Sequence, residues 1–237
     1  MTTKLKIFVL FALVIAAICV RLGVWQLHRL QERKARNAIL GARINAPAID
    51  ARELPRDTAE ARFRRVRVTG TPDYEHELIH AARSRLGSPG VNLLTPVRLP
   101  GSDTAVIVNR GWVYAPDGST IDHARWHDRD STFLGYAVEF PSTGGGTFEN
   151  KPTVLTRLSY EVVSKAVPYP VSRTYVIALD DGEDTTNAAN RIARLPAPAL
   201  DEGPHFSYAI QWFGFATVAL VGAGIVVRQS RGNVSKG

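Results

Sequence analysis

His205 is the residue best placed to do chemistry in this chain. It opens a stretch, residues 205–227, that contains no Asp, Glu, Lys or Arg. Tyr208 and Trp212 follow three and seven positions later, so on a helix all three side chains lie along one face. A neutral imidazole beside such an apolar wall can ligate a haem iron. The alternative is an interfacial histidine that only hydrogen-bonds to water or lipid headgroups.

A second polar group, Asn109-Arg110-Gly111-Trp112, follows an apolar strand candidate. In one interpretation, Arg110 and Trp112 present a cation and an aromatic face to an acidic ligand or partner. In the other, which we favour on sequence alone, Gly111 ends the strand in a turn and Trp112 belongs to the core. An arginine directly after a buried strand needs a partner for its charge in both cases.

The remaining reactive side chains form no catalytic pattern. The sequence contains no metal-binding cysteine pair, no G-x-S-x-G, no phosphate-binding loop and no H-E-x-x-H. His76 and His80 are four residues apart, as are His123 and His127, but spacing indicates no third ligand. We interpret both pairs as surface histidines and expect a protein that is not an enzyme.

Two apolar segments are expected to position His205. At about 1.5 Å rise per residue, residues 205–227 span about 35 Å, enough to cross a hydrocarbon core of about 30 Å. Residues 7–27 form a second candidate span, with a cleavable signal peptide as the alternative. We therefore predict an N-terminus at 1–6, spans at 7–27 and 205–227, an outer domain at 28–204 and a tail at 228–237.

The net positive charge of the protein lies at the two ends of the chain. Residues 28–204 carry 23 Lys and Arg against 22 Asp and Glu. The excess lies at Lys4, Lys6, Arg21, Arg228, Arg231 and Lys236. Basic residues beside membrane spans collect on the cytoplasmic side. We predict that both termini are cytoplasmic and that the protein does not bind nucleic acid.

The region between the spans has the pattern of a β-rich domain. Alternating or apolar runs predict strands at 63–71, 74–82, 91–99, 104–113, 132–140 and 173–180, with a short helix at 158–166. Turn residues separate them at 87–90 and 100–103, and residues 180–204 read as a loop. The predicted fold class is a membrane protein with two transmembrane helices flanking an α+β domain, dominated by an antiparallel, barrel-like sheet.

Four segments together resemble one known family. They are GVWQLHRL at 23–30, PGVNLLTP at 89–96, VNRGWV at 108–113 and HFSYAIQWF at 205–213. In this order they resemble G-x-W-Q-x-x-R-L, P-G-(Y/F)-x-(V/L)-x-T-P, V-N-R-G-W-(V/I) and H-x-x-Y-A-x-Q-W-(F/Y) of the Surfeit-locus family of cytochrome c oxidase assembly factors. Val91 stands where the family has an aromatic residue.

The resemblance implies a protein of the bacterial inner membrane that assists haem a insertion into oxidase subunit I, beside other assembly factors. In bacterial members a histidine at the start of the second span is implicated as a haem a ligand, and His205 occupies that place. Tyr208 and Trp212 would also contact the cofactor. The implied structural or docking residues are Trp25, Gln26, Arg29, Asn109, Arg110, Gly111, Trp112 and Gln211. The alternative function is a haem-free membrane scaffold that stabilises a nascent oxidase subunit.

Overall fold

The computed structural model describes residues 2–127, 131–142, 144–148, 150–179 and 192–234. The chain divides into two compact units. The helical unit joins Met1–Gly41 to Ala199–Gly237, and the sheet unit is Ala42–Pro198. The sheet unit is shorter at both ends than the outer domain expected at 28–204, because the first helix runs on past its apolar segment.

Four α-helices and two 3-10 helices lie in the described residues. The α-helices are α1 (Thr3–Asn45), α2 (Thr58–Ala61), α3 (Tyr160–Ala166) and α4 (His205–Val234), and the 3-10 helices are Ala51–Glu53 and His123–Trp126. The two short α-helices begin at capping side chains: Asp57 accepts from the backbone N of Ala59, and Ser159 from that of Val162. The predicted helix at 158–166 is thus confirmed as α3.

In the helical unit, α1 and α4 pack as an antiparallel pair along a small-residue seam. Buried positions on α1 alternate in steps of four and three, and those on α4 recur every seven, which is a coiled-coil pattern. Most of these positions carry the small residues Ala, Gly or Cys, which are common where helices pack together. The seam consists of Ala12, Ala16, Cys19, Gly23, Gln26 and Leu30 on α1, and of Ala209, Ala216 and Ala223 on α4.

Both helices are long and apolar enough to cross a membrane, by length and composition, over Thr3–Asn45 and His205–Arg231. Their large apolar side chains mostly face away from the seam, with Ile7 and Phe11 on α1 and Val218 on α4 strongly exposed. Such a surface suits contact with lipid or with other apolar helices. The prediction of one apolar helix near each end is confirmed.

The sheet unit contains ten described strands. They are β1 (Ile49–Asp50), β2 (Arg65–Thr69), β3 (Thr71–Pro72), β4 (Leu78–Arg85), β5 (Ser88–Arg98), β6 (Ala105–Tyr114), β7 (Thr132–Glu139), β8 (Gly146–Phe148), β9 (Lys151–Arg157) and β10 (Thr174–Ala178). Their order is β1-β2-β7-β10-β6-β5-β4-β9-β8, and β3 pairs with β5 beside this path.

The prediction of an antiparallel, barrel-like sheet is only partly confirmed. The meander β4-β5-β6 is antiparallel, but β1 with β2, β10 with β6, and β4 with β9 pair in parallel. The order ends at two different strands, β1 and β8, so the described sheet is mixed and open. Parallel pairing needs a long connection. The chain between β6 and β10, which includes α3, provides one.

Strand boundaries differ from the prediction where turns were misplaced. Residues 88–90, expected in a turn, already belong to β5, and the turn lies at Leu86-Gly87, where both residues have positive φ. The strands β1, β3 and β8 are two or three residues long, too short to show a periodicity. The sequence pattern does not predict β9, because this strand begins with Lys151 and Pro152. Residues 180–191 of the expected loop lie outside the described residues.

Candidate functional site

The two long helices meet at a polar contact near the start of α4. Nδ1 of His205 lies 2.7 Å from Oε1 of Gln26 on α1. Gln26 is buried and His205 is half-buried. An amide oxygen can only accept a hydrogen bond, so Nδ1 of His205 donates and carries a proton. In a neutral imidazole the lone pair then lies on Nε2.

Gly203 borders the Nε2 edge of this imidazole. A Cβ added at Gly203 would lie 3.5 Å from Nε2 of His205, so the glycine leaves room beside that nitrogen. The backbone N of Gly203 donates to Oδ1 of Asp201 at 2.8 Å, which holds the turn before α4. In metal-ligating histidines too, a hydrogen bond from the ring nitrogen that does not bind the metal fixes the tautomer and the orientation of the ring.

The structure separates the two aromatic residues that the sequence placed beside His205. Trp212 is half-buried and packs into the small-residue seam, with its ring edge-on to Phe215 at a centroid distance of 5.9 Å. Tyr208 is 45% exposed. Trp212 therefore belongs to the contact between the helices, whereas Tyr208 stays accessible on the surface of α4.

Other helical residues indicated by the sequence face outward. Trp25 is exposed, and the guanidinium carbon of Arg29 lies 5.9 Å from the centre of its ring. Nη1 of Arg29 also donates to Oε2 of Glu32 at 2.8 Å, in an exposed ion pair. Gln211 is exposed on α4. Of the α1 residues in this set, Gln26 is the one that contacts the histidine.

In the sheet unit, Arg110 and Glu77 form an ion pair in which both side chains are fully buried. Nη2 of Arg110 donates to Oε1 of Glu77 at 2.5 Å, and Nε donates to Oγ1 of Thr95 at 2.7 Å. The Thr95 hydroxyl donates in turn to Oε1 of Glu77 at 2.5 Å. Nδ1 of His123 lies 3.0 Å from the other carboxylate oxygen, Oε2. These four residues are the Arg110 network.

Further contacts tie the network to two loops. Nη1 of Arg110 donates to the carbonyl of Trp126 at 2.5 Å, and the Tyr74 ring lies 5.1 Å from its guanidinium carbon. The backbone carbonyl of Arg110 accepts from Nη1 of Arg194 at 2.5 Å. Arg110 thus joins β6 to the 3-10 helix at His123–Trp126 through its side chain, and to the chain around residue 194 through its backbone carbonyl.

A β-bulge aims Arg110 into this position. Leu93 on β5 pairs with Gly111 on β6, but the next residue, Leu94, pairs with Asn109. Arg110 is therefore the extra residue of the bulge. A bulge re-aims the side chain of its extra residue, which here places the arginine beside Glu77, the residue directly before β4.

The network determines the charge state of Glu77. Burial alone would raise the pKa of this carboxyl group. The hydrogen bond with His123, the charge of Arg110 and the hydroxyl of Thr95 outweigh burial and hold the pKa below its usual range. Glu77 is therefore ionised at neutral pH, and each charge of the buried pair has its counter-charge.

The residues next to Arg110 in the sequence, Asn109, Gly111 and Trp112, contact the backbone around the bulge. Asn109 is buried, and its Oδ1 accepts from the backbone N of Gly111 at 3.1 Å. Gly111 has φ of +124°, and a Cβ there would lie 2.5 Å from the carbonyl oxygen of Ala193. Trp112 is half-buried and donates from Nε1 to the carbonyl of Arg83 at 3.1 Å. The expectation that Gly111 ends the strand is wrong, because β6 continues past it through the bulge.

Among the described residues, the two histidine pairs make separate contacts. Nδ1 of His76 lies 2.9 Å from Oδ2 of Asp73, and the exposed His127 stacks on Tyr74 at 4.0 Å. His80 is half-buried, and burial lowers its pKa to about 4. The described residues contain no group of three or more His, Cys, Asp or Glu that could hold a metal ion. His127 is exposed, and the side chains of His76 and His123 remain 32% and 38% exposed.

A model of the SURF1 family matches residues 13–217, a range that contains both the His205 contact and the Arg110 network. The chain belongs to the SURF1 family. Its resemblance to Surfeit-locus proteins is therefore confirmed. SURF1 proteins are generally known as cytochrome oxidase assembly factors.

Individual SURF1-like proteins match along most of the chain. One from Rickettsia conorii is 27% identical over 234 residues, covering 93% of this chain and 89% of the relative. One from Rickettsia felis is 27% identical, with 93% and 95% covered. One from Monosiga brevicollis is 31% identical over 114 residues, with 44% and 43% covered.

Sequence reasoning missed several residues of this SURF1 protein's two sites. Glu77, Thr95 and His123 were not assigned to Arg110, although an acidic residue directly before the apolar Leu78 is a candidate partner for a buried cation. Gly203 was also missed. Its role depends on the position of a histidine ring, which no spacing pattern predicts.

Proposed function

We propose that this SURF1-family protein binds haem a as a transient cargo at the His205 end of its helical unit. It would then assist insertion of that haem into subunit I of a cytochrome c oxidase. The observation that carries the proposal is the 2.7 Å contact between Nδ1 of His205 and Oε1 of Gln26. This contact supports ligation because it leaves the lone pair on Nε2, and a ring nitrogen binds iron through such a lone pair.

The residues around His205 fit a single axial donor. His205 would supply Nε2, and Gln26 would hold the tautomer and orientation of the ring. Tyr208, exposed one turn further along α4, would contact the macrocycle, while Trp212 supports the helix face from within the seam. One half-exposed nitrogen ligand suits a carrier, because a cargo that is captured must also be released.

The haem propionates would need a cation as a partner. Arg29 and Arg33 are the candidates on α1 beyond the apolar segment. Arg29 is already paired with Glu32 at 2.8 Å, whereas Arg33 is exposed and has no recorded ion pair with another described residue. We therefore favour Arg33 for a propionate. The chain's own residues bind and orient the cargo, the redox chemistry belongs to haem a in the oxidase, and we propose no catalytic step.

The proposal places α1 and α4 across the bacterial inner membrane. Both termini would be cytoplasmic and the sheet unit would lie outside the cytoplasm. The basic residues at the chain ends support this orientation, because such residues collect on the cytoplasmic side. Subunit I, lipid and other assembly factors would be the partners.

A haem-free scaffold is the second candidate function. It is favoured by large aromatic side chains on the outer faces of the helices, where Trp25, Phe206 and Phe215 are all more than half exposed. Aromatic residues are enriched in protein interfaces, so these rings could dock an oxidase subunit. In that case the His205–Gln26 hydrogen bond would only join the helices.

Replacement of His205 separates the two functions. We expect His205→Ala and His205→Gln, purified at full length from a haem a-producing host, to lose most of the co-purifying haem a and to shift its Soret band. Ligation requires an imidazole, whereas the scaffold should tolerate the hydrogen-bonding amide of glutamine. The measurement is haem content per protein by pyridine haemochrome assay, together with the visible spectrum.

His28→Ala is the matched control, because His28 is also a helix histidine but is exposed on α1. It should retain the haem content of the wild type. Wild-type haem content and spectrum in His205→Ala would refute ligation. If His205→Gln also assembled active oxidase normally, the scaffold would be the better function.

A further inference from the structure

A small cavity of about 250 Å³ lies in the sheet unit between the end of α1 and the start of β2. Three half-buried arginines line it, and none of its described lining residues is acidic. Its remaining wall is mostly apolar. The lining consists of Arg43, Arg64 and Arg65 together with Ala42, Ala46, Pro47 and Ile49.

Two of these arginines are held by neutral acceptors. Nη1 of Arg43 donates to the carbonyl oxygens of Ala59 and Arg62, at 2.7 and 3.1 Å. Nε of Arg64 donates to the carbonyl oxygen of Glu60 at 3.1 Å. These bonds fix the side chains without neutralising them. No ion pair is recorded between the cavity's arginines and any carboxylate in the described part of the chain.

The third arginine has a buried donor that is not used. Nε of Arg65 is buried and has no hydrogen-bond partner among the described residues. Leaving a buried donor unpaired is costly, and more so on a charged group. Arg65 opens β2, in which Val66 and Val68 point into the core and Arg67 is exposed. Because side chains alternate along a strand, the side chain of Arg65 lies on the face of β2 opposite to that of Val66 and Val68.

We infer that this cavity, the arginine pocket, binds a carboxylate or phosphate group carried on a small apolar body. Three guanidinium groups repel one another, and an oxoanion would offset their charge. The guanidinium fork matches two oxygens of one such group. The apolar wall of Ala42, Ala46, Pro47 and Ile49 suits a short hydrocarbon part. The pocket goes beyond the proposed haem function, because it uses neither His205 nor the helical unit.

Binding of short amphiphilic anions tests the pocket. Full-length protein in a neutral detergent is titrated calorimetrically with butanoate and with butyl phosphate, at constant ionic strength in chloride. Inorganic phosphate and butanol serve as probes of the head and the tail alone. We expect saturable binding of at least one of the two anions, tighter than that of its head or tail alone. The anion that binds identifies the head group.

Conservative variants show whether the binding belongs to this pocket. Arg65→Lys keeps the charge but loses the planar fork, so it should weaken binding about tenfold or more, as expected for one charge-assisted hydrogen bond. Arg67→Lys is the matched control on the same strand, exposed and outside the cavity, and should bind like the wild type. If Arg65→Lys lowers the Tm without anion more than Arg67→Lys does, Arg64→Lys replaces it.

Absence of saturable binding in the wild type would overturn the inference. Equal affinities in the pocket variant and in Arg67→Lys would overturn it too, because partition into detergent affects both alike. His205→Ala should bind the anion like the wild type, and loss of binding in it would contradict a separate site. Failure of the haem proposal therefore leaves this test intact.

Discussion

At the scale of single residues, Arg110 combines a positive charge with complete burial, which is costly unless a counter-charge lies beside it. Its charge is fully buried, and Glu77 supplies the counter-charge at 2.5 Å. Breaking a buried ion pair by removing one partner leaves the other charge uncompensated, which costs about 3–5 kcal/mol. Replacing both partners by apolar residues costs far less. We therefore expect the Arg110 network to stabilise the fold of the sheet unit.

Arg110→Met should lower the free energy of unfolding by about 3–5 kcal/mol, because it leaves Glu77 charged and buried. The double variant Arg110→Met with Glu77→Leu should lose less, since no buried charge remains. Urea unfolding followed by tryptophan fluorescence measures both, and cellular abundance should fall in parallel. Arg85→Met, an exposed arginine on β4, is the control. Normal stability and normal oxidase assembly in Arg110→Met would show that the network is dispensable.

The lowered pKa of Glu77 predicts an acid-sensitive fold. Its folded pKa lies below the usual 4.5, so the unfolded chain binds more protons in that range. The stability contributed by Glu77 is complete above pH 4.5 and is lost as the pH falls through the lowered value. We expect Glu77→Gln to show a smaller decrease in unfolding free energy between pH 5 and about pH 3 than the wild type. Glu75→Gln, an exposed carboxylate two residues away, should keep the wild-type slope.

At the scale of elements, the helix pair packs the ring of Phe213 on α4 against Gly23 on α1. A Cβ there would lie 2.8 Å from the ring of Phe213 on α4, closer than real Cβ contacts. Gln26, almost one turn further along α1, contacts His205 in the same helix pair. The packing of two elements thus decides whether the haem ligand proposed here is correctly oriented.

Gly23→Val should force the helices apart, at a cost of about 1–3 kcal/mol for overpacking. Bound haem a should then decrease although His205 is intact. Cross-linking of Cys19 to a cysteine introduced by Ala216→Cys, both in the seam, reports the separation directly. Gly214→Val is the control, because a Cβ at Gly214 meets no atom within 4 Å. Cross-linking as fast in Gly23→Val as in the control would show that the approach is not needed.

For the whole molecule, the distribution of charge sets the expected orientation. Residues 28–204 are nearly neutral, while both ends of the chain are basic. Two spans place both termini on one side, and long loops translocate largely regardless of their charge. The hairpin tip at Leu86-Gly87 is the best insertion site in the sheet unit, because Leu86 is 94% exposed.

A reporter that is active only outside the cytoplasm should be silent when fused after residue 237. The same reporter inserted after Gly87 should be active, because this tip belongs to the unit expected outside. Alkaline phosphatase activity in intact cells is the measurement, with a cytoplasmic reporter at the same positions as the reciprocal control. The reverse pattern of activities would contradict the orientation.

Much of this protein follows from local sequence patterns. The two apolar helices follow from composition over about twenty residues, and the strands β5, β6 and β7 from runs of apolar or alternating side chains. Family membership follows from four short motifs that contain His205 and Arg110. These features are readable because periodicity and motif spacing are properties of neighbouring residues.

Only the tertiary structure decided which of these residues meet. Gln26 and His205 are 179 positions apart, and Arg110 and Glu77 are 33 apart. No spacing rule connects them, because the packing of two helices creates the first contact and a one-residue bulge creates the second. The same holds for the sheet, where parallel pairing of β10 with β6 depends on the path of the intervening chain. The residue types indicate which chemistry is available, and long-range packing determines which residues contact one another.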